Sequence, residues 1–241
     1  MKYFELNCTV FLKNDIEFKK SFNVVTKYIN FSMLNNKKLK ELHAQKSFKH
    51  YSFGNFYPIE KEQVYKKGKS YQFIMRSLSE DFIDALSIEL RKNIDNASFI
   101  VVQTHKKAVK QFFISELYSL TPIIVSTEKN IFWTKEDDLM FLYKQLQDNL
   151  EKKYFEFYEE KLEPIQNFIQ LLELKNHRLQ TIEIDKTYKN GKKVKFFGNK
   201  FRIVPNEDEV SQKLAFLALS CGLGEKNSYG GGFLIGKGLR L

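Results

Sequence analysis

Two spacings of apolar residues follow each other along this chain, one typical of strands and one typical of helices. Their order restricts the possible folds more than any other feature. Apolar residues that alternate with polar ones predict strands, and apolar residues three or four positions apart predict helices. In the first half, strands are predicted at 2–11, 51–56, 71–76 and 98–103, with helices around Phe22 and Leu86. The resulting order, β-α-β-β-α-β, is that of a ferredoxin-like (RRM-like) unit.

A similar order, with one more strand before its first helix, recurs after Leu120 with different residues. The elements predicted there are strands at 122–125 and 131–133, a helix over 139–150, strands at 179–188 and 194–204, a helix over 210–221 and a strand at 233–235. Asn190-Gly191 predicts a tight hairpin turn within this half. The predicted fold is therefore α+β, a tandem of ferredoxin-like domains at 1–119 and 120–241.

The net charge indicates a polyanionic partner. The chain has 39 Lys and Arg against 29 Asp and Glu, a formal charge of +10 at pH 7. Nucleic acid and anionic membrane are the two main classes of partner for such a chain. No run of 18 apolar residues occurs, and no basic amphipathic helix of the membrane-binding kind, so the sequence predicts no membrane partner.

The cysteines and the other ligand-type residues indicate neither a disulfide nor a metal site. Cys8 and Cys221 lie far apart and form no motif, which predicts two free thiols and a reducing, cytoplasmic location. Clustered Cys and His and paired carboxylates at ligand spacing are missing from the sequence. We therefore predict no metal and no cofactor.

Two lysine-rich stretches are candidate phosphate-binding surfaces. Residues 35–50 hold five lysines and one acid, and residues 186–200 hold six lysines and no acid, interleaved with aromatic residues. Lysines among aromatics suit phosphate neutralisation and base stacking. The predicted contacts are Lys37, Lys38, Lys46, Lys186, Lys189, Lys192, Lys193 and Lys195. On a strand, Lys193 and Lys195 share one face, and a solvated basic face is the alternative interpretation.

Glycine is concentrated near the C-terminal end, where seven of the eleven glycines occupy the last twenty residues. Glycine permits positive φ and close approach of backbones, so this segment can present amide N–H groups to phosphates. A tight turn between helix and strand is the alternative. The spacing Gly231-x4-Gly236-Lys237 imitates a nucleotide-binding P-loop, but Gly238 stands where Ser or Thr binds magnesium.

Residues 222–232, GLGEKNSYGGG, resemble the glycine-rich loop of the RAMP superfamily of CRISPR-associated proteins. The match is specifically to the repeat-cleaving endoribonuclease family (Cas-six), and it departs from that family's pattern at Gly231, where an aromatic residue is usual. The resemblance implies that the loop binds RNA. The residues that it singles out are Gly224, Lys226, Asn227, Ser228 and Gly230.

The same resemblance selects candidate catalytic residues in the first half. His43 corresponds to the family's histidine, Lys49 to the lysine that accompanies it in some members, and Tyr28 to the tyrosine of the same triad. Histidine exchanges protons near neutral pH, so His43 is the expected general acid or base. Tyr28 would orient a reacting oxygen, and Lys49 would stabilise charge on the phosphate. His50 is the alternative to His43.

The resemblance implies a metal-independent endoribonuclease that cuts the repeats of precursor CRISPR RNA. Attack by the 2′-hydroxyl would give 2′,3′-cyclic phosphate and 5′-hydroxyl ends. The alternative is a non-catalytic RAMP subunit that holds RNA in a CRISPR effector complex, because the loop and the charge fit both. The implied partner is repeat RNA. Other effector-complex subunits and a second copy of the chain are further candidate partners.

Overall fold

The computed structural model describes residues 1–128, 131–185 and 193–239. Its first unit contains β1 (Lys2–Leu12), β2 (Ile16–Glu17), α1 (Phe18–Leu34), α2 (Lys37–Ala44), β3 (Tyr51–Phe53), β4 (Val64–Tyr65), β5 (Ser70–Ser77), α3 (Glu80–Lys92) and β6 (Phe99–Lys110). The antiparallel sheet has the order β3-β5-β1-β6, and β2 pairs with β4 outside it. With α1 and α3 as its crossover helices, this unit has ferredoxin-like topology.

The alternation in β1 determines which face of the first sheet is buried. Phe4, Leu6, Cys8, Val10 and Leu12 are buried in the core that also includes the apolar side of α1. A strand that places every second residue in the core has its register fixed, since a shift by one residue would expose all of them. The first predicted strand and the helix that follows it are therefore present as expected.

The second unit begins earlier than predicted. It contains β7 (Phe113–Ser119), α4 (Leu139–Tyr158), β8 (Ile169–Leu174), β9 (Gln180–Asp185), β10 (Lys193–Gly198), β11 (Phe201–Pro205), α5 (Glu209–Cys221), a short 3-10 helix (Asn227–Tyr229) and β12 (Leu234–Leu239). Its main sheet has the order β12-β7-β11-β8, again ferredoxin-like. The α+β tandem ferredoxin-like prediction is confirmed.

The predicted boundary after residue 119 has to be corrected. β7 pairs with β11 and β12, so 113–119 belong to the second sheet, and the division between the sheets falls at 111–112. The predicted strand at 122–125 forms only isolated bridges, Ile123 to Asn199 and Ile124 to Glu225. The predicted strand at 194–204 is two strands, β10 and β11, which belong to different sheets.

A hairpin inserted between β8 and β11 packs on the other unit. β9 and β10 form this two-stranded hairpin, whose predicted turn at Asn190-Gly191 lies outside the described residues. Ile182, Ile184 and Phe196 are buried in the core of the first unit. The carboxylate of Asp185 accepts hydrogen bonds from Asn23 at 2.7 Å and Lys27 at 2.9 Å, both on α1. The hairpin is therefore attached to α1 by both apolar and polar contacts.

Buried polar contacts also join the two units. The Ser52 hydroxyl donates to the carbonyl oxygen of Ser220 at 3.0 Å, and the Arg76 guanidinium donates to that of Leu234 at 2.6 Å. These contacts link β3 and β5 of the first unit to α5 and β12 of the second. Among the described residues, no helix is long and apolar enough to cross a membrane.

Candidate active site

A cleft of about 430 Å³ lies between two segments that the sequence analysis singled out. One wall is the basic segment, defined as residues 45–51, and the other is the glycine-rich loop, defined as residues 222–233. The second wall contributes residues 224–229 to the cleft. Lys153 of α4 and Cys221 of α5 also line it. Lys46, Lys49, Lys153 and Lys226 are among the lining residues, so the cleft concentrates positive charge.

The glycine-rich loop is shaped by close packing against the rest of the protein. Gly224 has φ +70°, and a Cβ there would lie 2.6 Å from the carbonyl oxygen of Ile124. Gly230 has φ +90°, and its Cβ would lie 2.5 Å from the ring of Phe22. Both positions therefore require glycine. Gly224 lines the cleft, whereas Gly230 is buried against α1 and is not among the lining residues.

Asn227 holds the glycine-rich loop together from inside. Its side-chain NH2 donates to the carbonyl oxygens of Leu223 at 3.3 Å and Gly231 at 2.9 Å. Its side-chain oxygen accepts a 2.8 Å hydrogen bond from the ammonium of Lys153. The side-chain amide of Asn227 is thus fully used within the loop and by Lys153, and its backbone carbonyl accepts the N–H of Gly230, which leaves only its backbone N–H for a ligand.

Lys153 is a site residue that the sequence analysis missed. Its ammonium also donates to the carbonyl oxygens of Gly222 at 2.9 Å and Gly224 at 3.0 Å, and the residue is 2% exposed. Burial lowers its pKa to about 8. A signal existed in the sequence, because Lys153 continues the helical spacing of the buried residues Leu146 and Leu150, where an apolar residue is normal.

Three consecutive N–H groups of the loop are available to an anion. Those of Lys226, Asn227 and Ser228 have no acceptor in the part of the chain that the structure describes, and all three residues line the cleft. Lys226 has φ +60°, and its ammonium lies 3.4 Å from the carboxylate of Glu225. Successive N–H groups of this kind form a concave anion-binding surface.

Lys49 and His43 lie together at the end of α2. The Lys49 ammonium donates to the carbonyl oxygens of Leu42 at 2.6 Å, His43 at 3.1 Å and Gln45. It therefore supplies a hydrogen-bond donor to carbonyl groups at the end of α2, where a helix runs out of N–H partners. Partial burial, and then the charge of Lys49, lower the pKa of His43. His43 is half-buried and precedes the first lining residue, Gln45, by two positions.

His50 lines the cleft directly. Its side chain is 13% exposed, with Nε2 3.5 Å from Oε1 of Glu156 and the ring edge-on to Phe157. Burial lowers the pKa of His50, and the opposing effect of the Glu156 carboxylate does not compensate. The same Oε1 of Glu156 accepts a 3.0 Å hydrogen bond from the backbone N–H of Phe48. Glu156 thereby fixes this part of the basic segment.

The structure does not bring Tyr28 into the site. Its side chain is 0% exposed and stacks on Phe99. The hydroxyl lies 2.8 Å from the carbonyl oxygen of Leu90 and 3.1 Å from that of Asn93, and it accepts a 3.1 Å hydrogen bond from the N–H of Val101. Burial raises its pKa to about 12. The predicted catalytic role of Tyr28 is therefore corrected to that of a core residue.

The predicted lysine contacts fall in separate places. Lys37 and Lys38 are exposed on α2, and Lys46 is exposed at the cleft. Lys193 and Lys195 are exposed on β10, with Val194 and Phe196 on the inner face as expected, and both approach Glu183, at 2.7 Å and 3.9 Å. Lys186, Lys189 and Lys192 lie outside the described residues.

Comparison with known proteins decides the family. The sequence model described as "CRISPR associated protein Cas6, C-terminal" matches residues 105–235, more than half of the chain. The chain belongs to the Cas6 family. Its matched region contains α4 and the whole glycine-rich loop, which are the elements that form one side of the cleft.

Individual Cas6 proteins are similar over nearly the whole length. The protein named CRISPR-associated endoribonuclease Cas6 2, from Methanocaldococcus jannaschii, is 29% identical over 92% of this chain and 95% of that one. A solved structure described as "CRISPR associated protein Cas6" has a TM-score of 0.68 at 20% identity, covering 98% and 99% of the two chains. One described as "An RAMP protein binding different RNA substrates" has a TM-score of 0.69 at 16% identity, covering 97% and 99%. The two structures share the tandem fold with this Cas6-family chain.

Proposed function

We propose that this chain is a CRISPR-associated endoribonuclease that cleaves the repeats of precursor CRISPR RNA. The observation that carries the proposal is the cleft, which is lined on one side by residues 226–228, whose N–H groups have no acceptor among the described residues, and on the other side by a segment with lysines and His50. A relative of known name, an endoribonuclease, matches this chain over 92% of its length. The cleft offers what strand scission requires: backbone N–H groups that can bind an anion, cations and, in His50, a side chain that can exchange protons.

The reaction that we propose is an internal transesterification. A base removes the proton from the 2′-hydroxyl, the 2′-oxygen attacks the adjacent phosphorus, and the bond from phosphorus to the 5′-oxygen breaks. An acid returns a proton to that oxygen, so the products are a 2′,3′-cyclic phosphate and a 5′-hydroxyl. His43 is the proposed proton-exchanging group, because its lowered pKa leaves the imidazole neutral at pH 7 and able to accept a proton.

The charge that develops on the phosphate needs cations and N–H donors. In this proposal the N–H groups of 226–228 bind the phosphate oxygens, and the exposed ammonium of Lys46 and that of Lys226 add positive charge. Lys49 acts differently from the role implied by the family resemblance. Its three hydrogen bonds to carbonyl oxygens tie the end of α2 to the basic segment, so it holds His43 in place.

Two alternatives rest on specific observations. His50 replaces His43 in the first, because His50 lines the cleft and is held by Glu156. In the second the chain is a non-catalytic RNA-holding RAMP subunit, since the burial of Tyr28 leaves the predicted triad incomplete. Other effector subunits or a second copy of the chain are the further partners in that case.

We place the protein in the cytoplasm, where the buried free thiols of Cys8 and Cys221 stay reduced.

The test uses labelled repeat RNA from the CRISPR array of the source organism, in excess EDTA. The wild-type chain, His43→Ala and His50→Ala are compared on an all-ribose repeat and on a repeat with one deoxyribose upstream of the cut. We expect wild-type cleavage that the deoxyribose blocks, and a loss in His43→Ala of about 10²–10⁴-fold, the usual contribution of one acid–base group.

Each other outcome selects an alternative. Full activity of His43→Ala with loss in His50→Ala would assign the proton transfer to His50. Tight binding without cleavage by the wild-type chain would establish the RNA-holding subunit. Cleavage of the deoxyribose repeat at the same bond would exclude the 2′-hydroxyl mechanism.

A further inference from the structure

Helix α4 contacts both walls of the cleft from one of its faces. Lys153 binds the glycine-rich loop, and Glu156, three residues later, binds the basic segment through the N–H of Phe48. Residues three apart on a helix are neighbours on one face. A single helical turn thus reaches the two surfaces between which an RNA strand would lie.

We propose that Lys153 is a positioning residue that holds the glycine-rich loop in its RNA-binding conformation. The proposal rests on the proposed function of the loop. Lys153 binds the carbonyl oxygens of Gly222 and Gly224 and the side-chain oxygen of Asn227 at 2.8–3.0 Å. The two glycine carbonyl groups lie in the first half of the loop, and both accept from the ammonium. The N–H groups of 226–228, which have no acceptor among the described residues, come directly after them.

Asn227 extends this hold to the far end of the loop. Its NH2 group bonds Leu223 and Gly231, so one lysine and one amide connect residues 222 to 231 across the interior. Hydrogen bonds to a charged donor are about twice as strong as neutral ones, and in a buried place they are shielded from water. Removal of the ammonium would leave three buried oxygens without this donor, and the loop would have to rearrange to satisfy them.

Direct contact between Lys153 and an RNA phosphate is a different role, and the geometry argues against it. A lysine ammonium has three hydrogens, and three protein oxygens already accept them. The side chain is 2% exposed. The charged and titratable groups that interact electrostatically with it are Glu225 of the loop, Cys221 of α5 and His50 of the basic segment. Lys153 therefore acts through the loop and not on the RNA.

The experiment compares Lys153→Met with Lys152→Met in the full chain. Lys152 is the adjacent, exposed lysine of the same helix, so both variants lose one charge. Lys46→Met serves as the reference for loss of a phosphate contact. Amide hydrogen exchange of 222–233, single-turnover cleavage of repeat RNA, and the dependence of RNA affinity on salt concentration are measured for each variant.

We expect Lys153→Met to speed exchange of the loop amides and to slow cleavage, each by at least about tenfold, the effect of losing charge-assisted hydrogen bonds. The salt dependence should stay that of the wild type, because no phosphate contact is lost. Lys46→Met should lower the slope of log affinity against log salt by about one. Lys152→Met should match the wild type in exchange and in cleavage.

Several results would overturn the proposal. Unchanged amide hydrogen exchange of the loop in Lys153→Met would do so. Faster exchange of the loop with unchanged cleavage and unchanged RNA affinity would also do so. A salt slope reduced as in Lys46→Met would make Lys153 a phosphate contact instead. If Lys153→Met does not fold, Asn227→Ala removes the partner amide and is measured in the same way. If wild-type chain neither binds nor cleaves the RNA, the proposed function fails, while the exchange data still decide whether Lys153 holds the loop.

Discussion

The guanidinium of Arg76 in β5 donates a 2.6 Å hydrogen bond to the carbonyl oxygen of Leu234 in β12, across the junction of the two units. The same side chain pairs with the carboxylate of Glu5 at 2.8 Å and stacks 4.5 Å from the ring of Phe233. Because Arg76 is 6% exposed, these contacts are shielded from water. The orientation of the two sheets therefore depends on a buried charged group.

We expect Arg76→Met to lower the free energy of unfolding by about 3–5 kcal/mol, because it leaves the Glu5 carboxylate without its buried partner. Urea unfolding followed by circular dichroism measures this loss. Arg202→Met is the matched control, since Arg202 pairs with Glu116 within the second unit and its side chain is more exposed, 28% against 7% for Arg76. Equal losses in the two variants would contradict the importance of the junction.

Tyr28→Phe separates a core role from a catalytic one. Loss of the hydroxyl leaves the buried N–H of Val101 without its acceptor, so the free energy of unfolding should fall by about 1–3 kcal/mol. Single-turnover cleavage by the folded variant should equal that of the wild type. Tyr57→Phe, at a residue that is 69% exposed, should change neither quantity. A large drop in cleavage with unchanged stability would restore Tyr28 to the catalytic group.

Gly230→Ala tests whether the glycine-rich loop depends on packing against α1. Its matched control is Gly68→Ala, because Gly68 also has a positive φ, +77°, but has no atom within 4 Å of the added Cβ. Both variants incur the backbone cost of about 1–2 kcal/mol. The clash with Phe22 should add about 1–3 kcal/mol in Gly230→Ala alone. Thermal unfolding gives the comparison, and cleavage should fall only in Gly230→Ala.

The rate of cleavage should depend on pH through a group with a lowered pKa. If His43 is the base, the single-turnover rate falls as pH decreases through a pKa below the usual 6.5, since protonated imidazole cannot accept a proton. The pKa of His43 is lower in the folded chain than in the unfolded chain. The free energy of unfolding therefore also decreases as the pH falls from about 6.5 to the folded-state pKa.

Circular dichroism at each pH would separate the two effects in this experiment. An acidic limb that persists in His50→Ala supports His43. Its disappearance in that variant would instead assign the limb to His50, whose pKa is also lowered by burial.

The sequence predicted the element order well because long alternating and helical patterns report directly on burial. Its main error, the place of the second sheet's first strand, has a physical cause. The second half of β6 is exposed and polar. The sequence there has no alternation of buried and exposed residues that would mark where β6 ends and β7 begins. Which strand pairs in which sheet is decided by partners far away in the sequence, and a local pattern does not contain this information.

The site was predictable only in part for the same reason. The glycine-rich loop and the basic segment were both identified, but the cleft exists because α4 brings them together. The family resemblance selected Tyr28 together with His43, but Tyr28 lies on the inner side of α1, and a resemblance in sequence does not tell which side chains reach the surface. Lys153 was hidden by its position in an apolar stripe, where charge is rare unless the group is paired.

The hairpin of β9 and β10 has a consequence for the independence of the two units. It branches from the second sheet, but it supplies Ile182, Ile184 and Phe196 to the core of the first. A fragment that ends at residue 111 would lose these side chains and expose the α1 surface on which they pack. We therefore expect a chimera of two relatives joined at 111–112 to be stable only when its α1 and its hairpin come from the same parent.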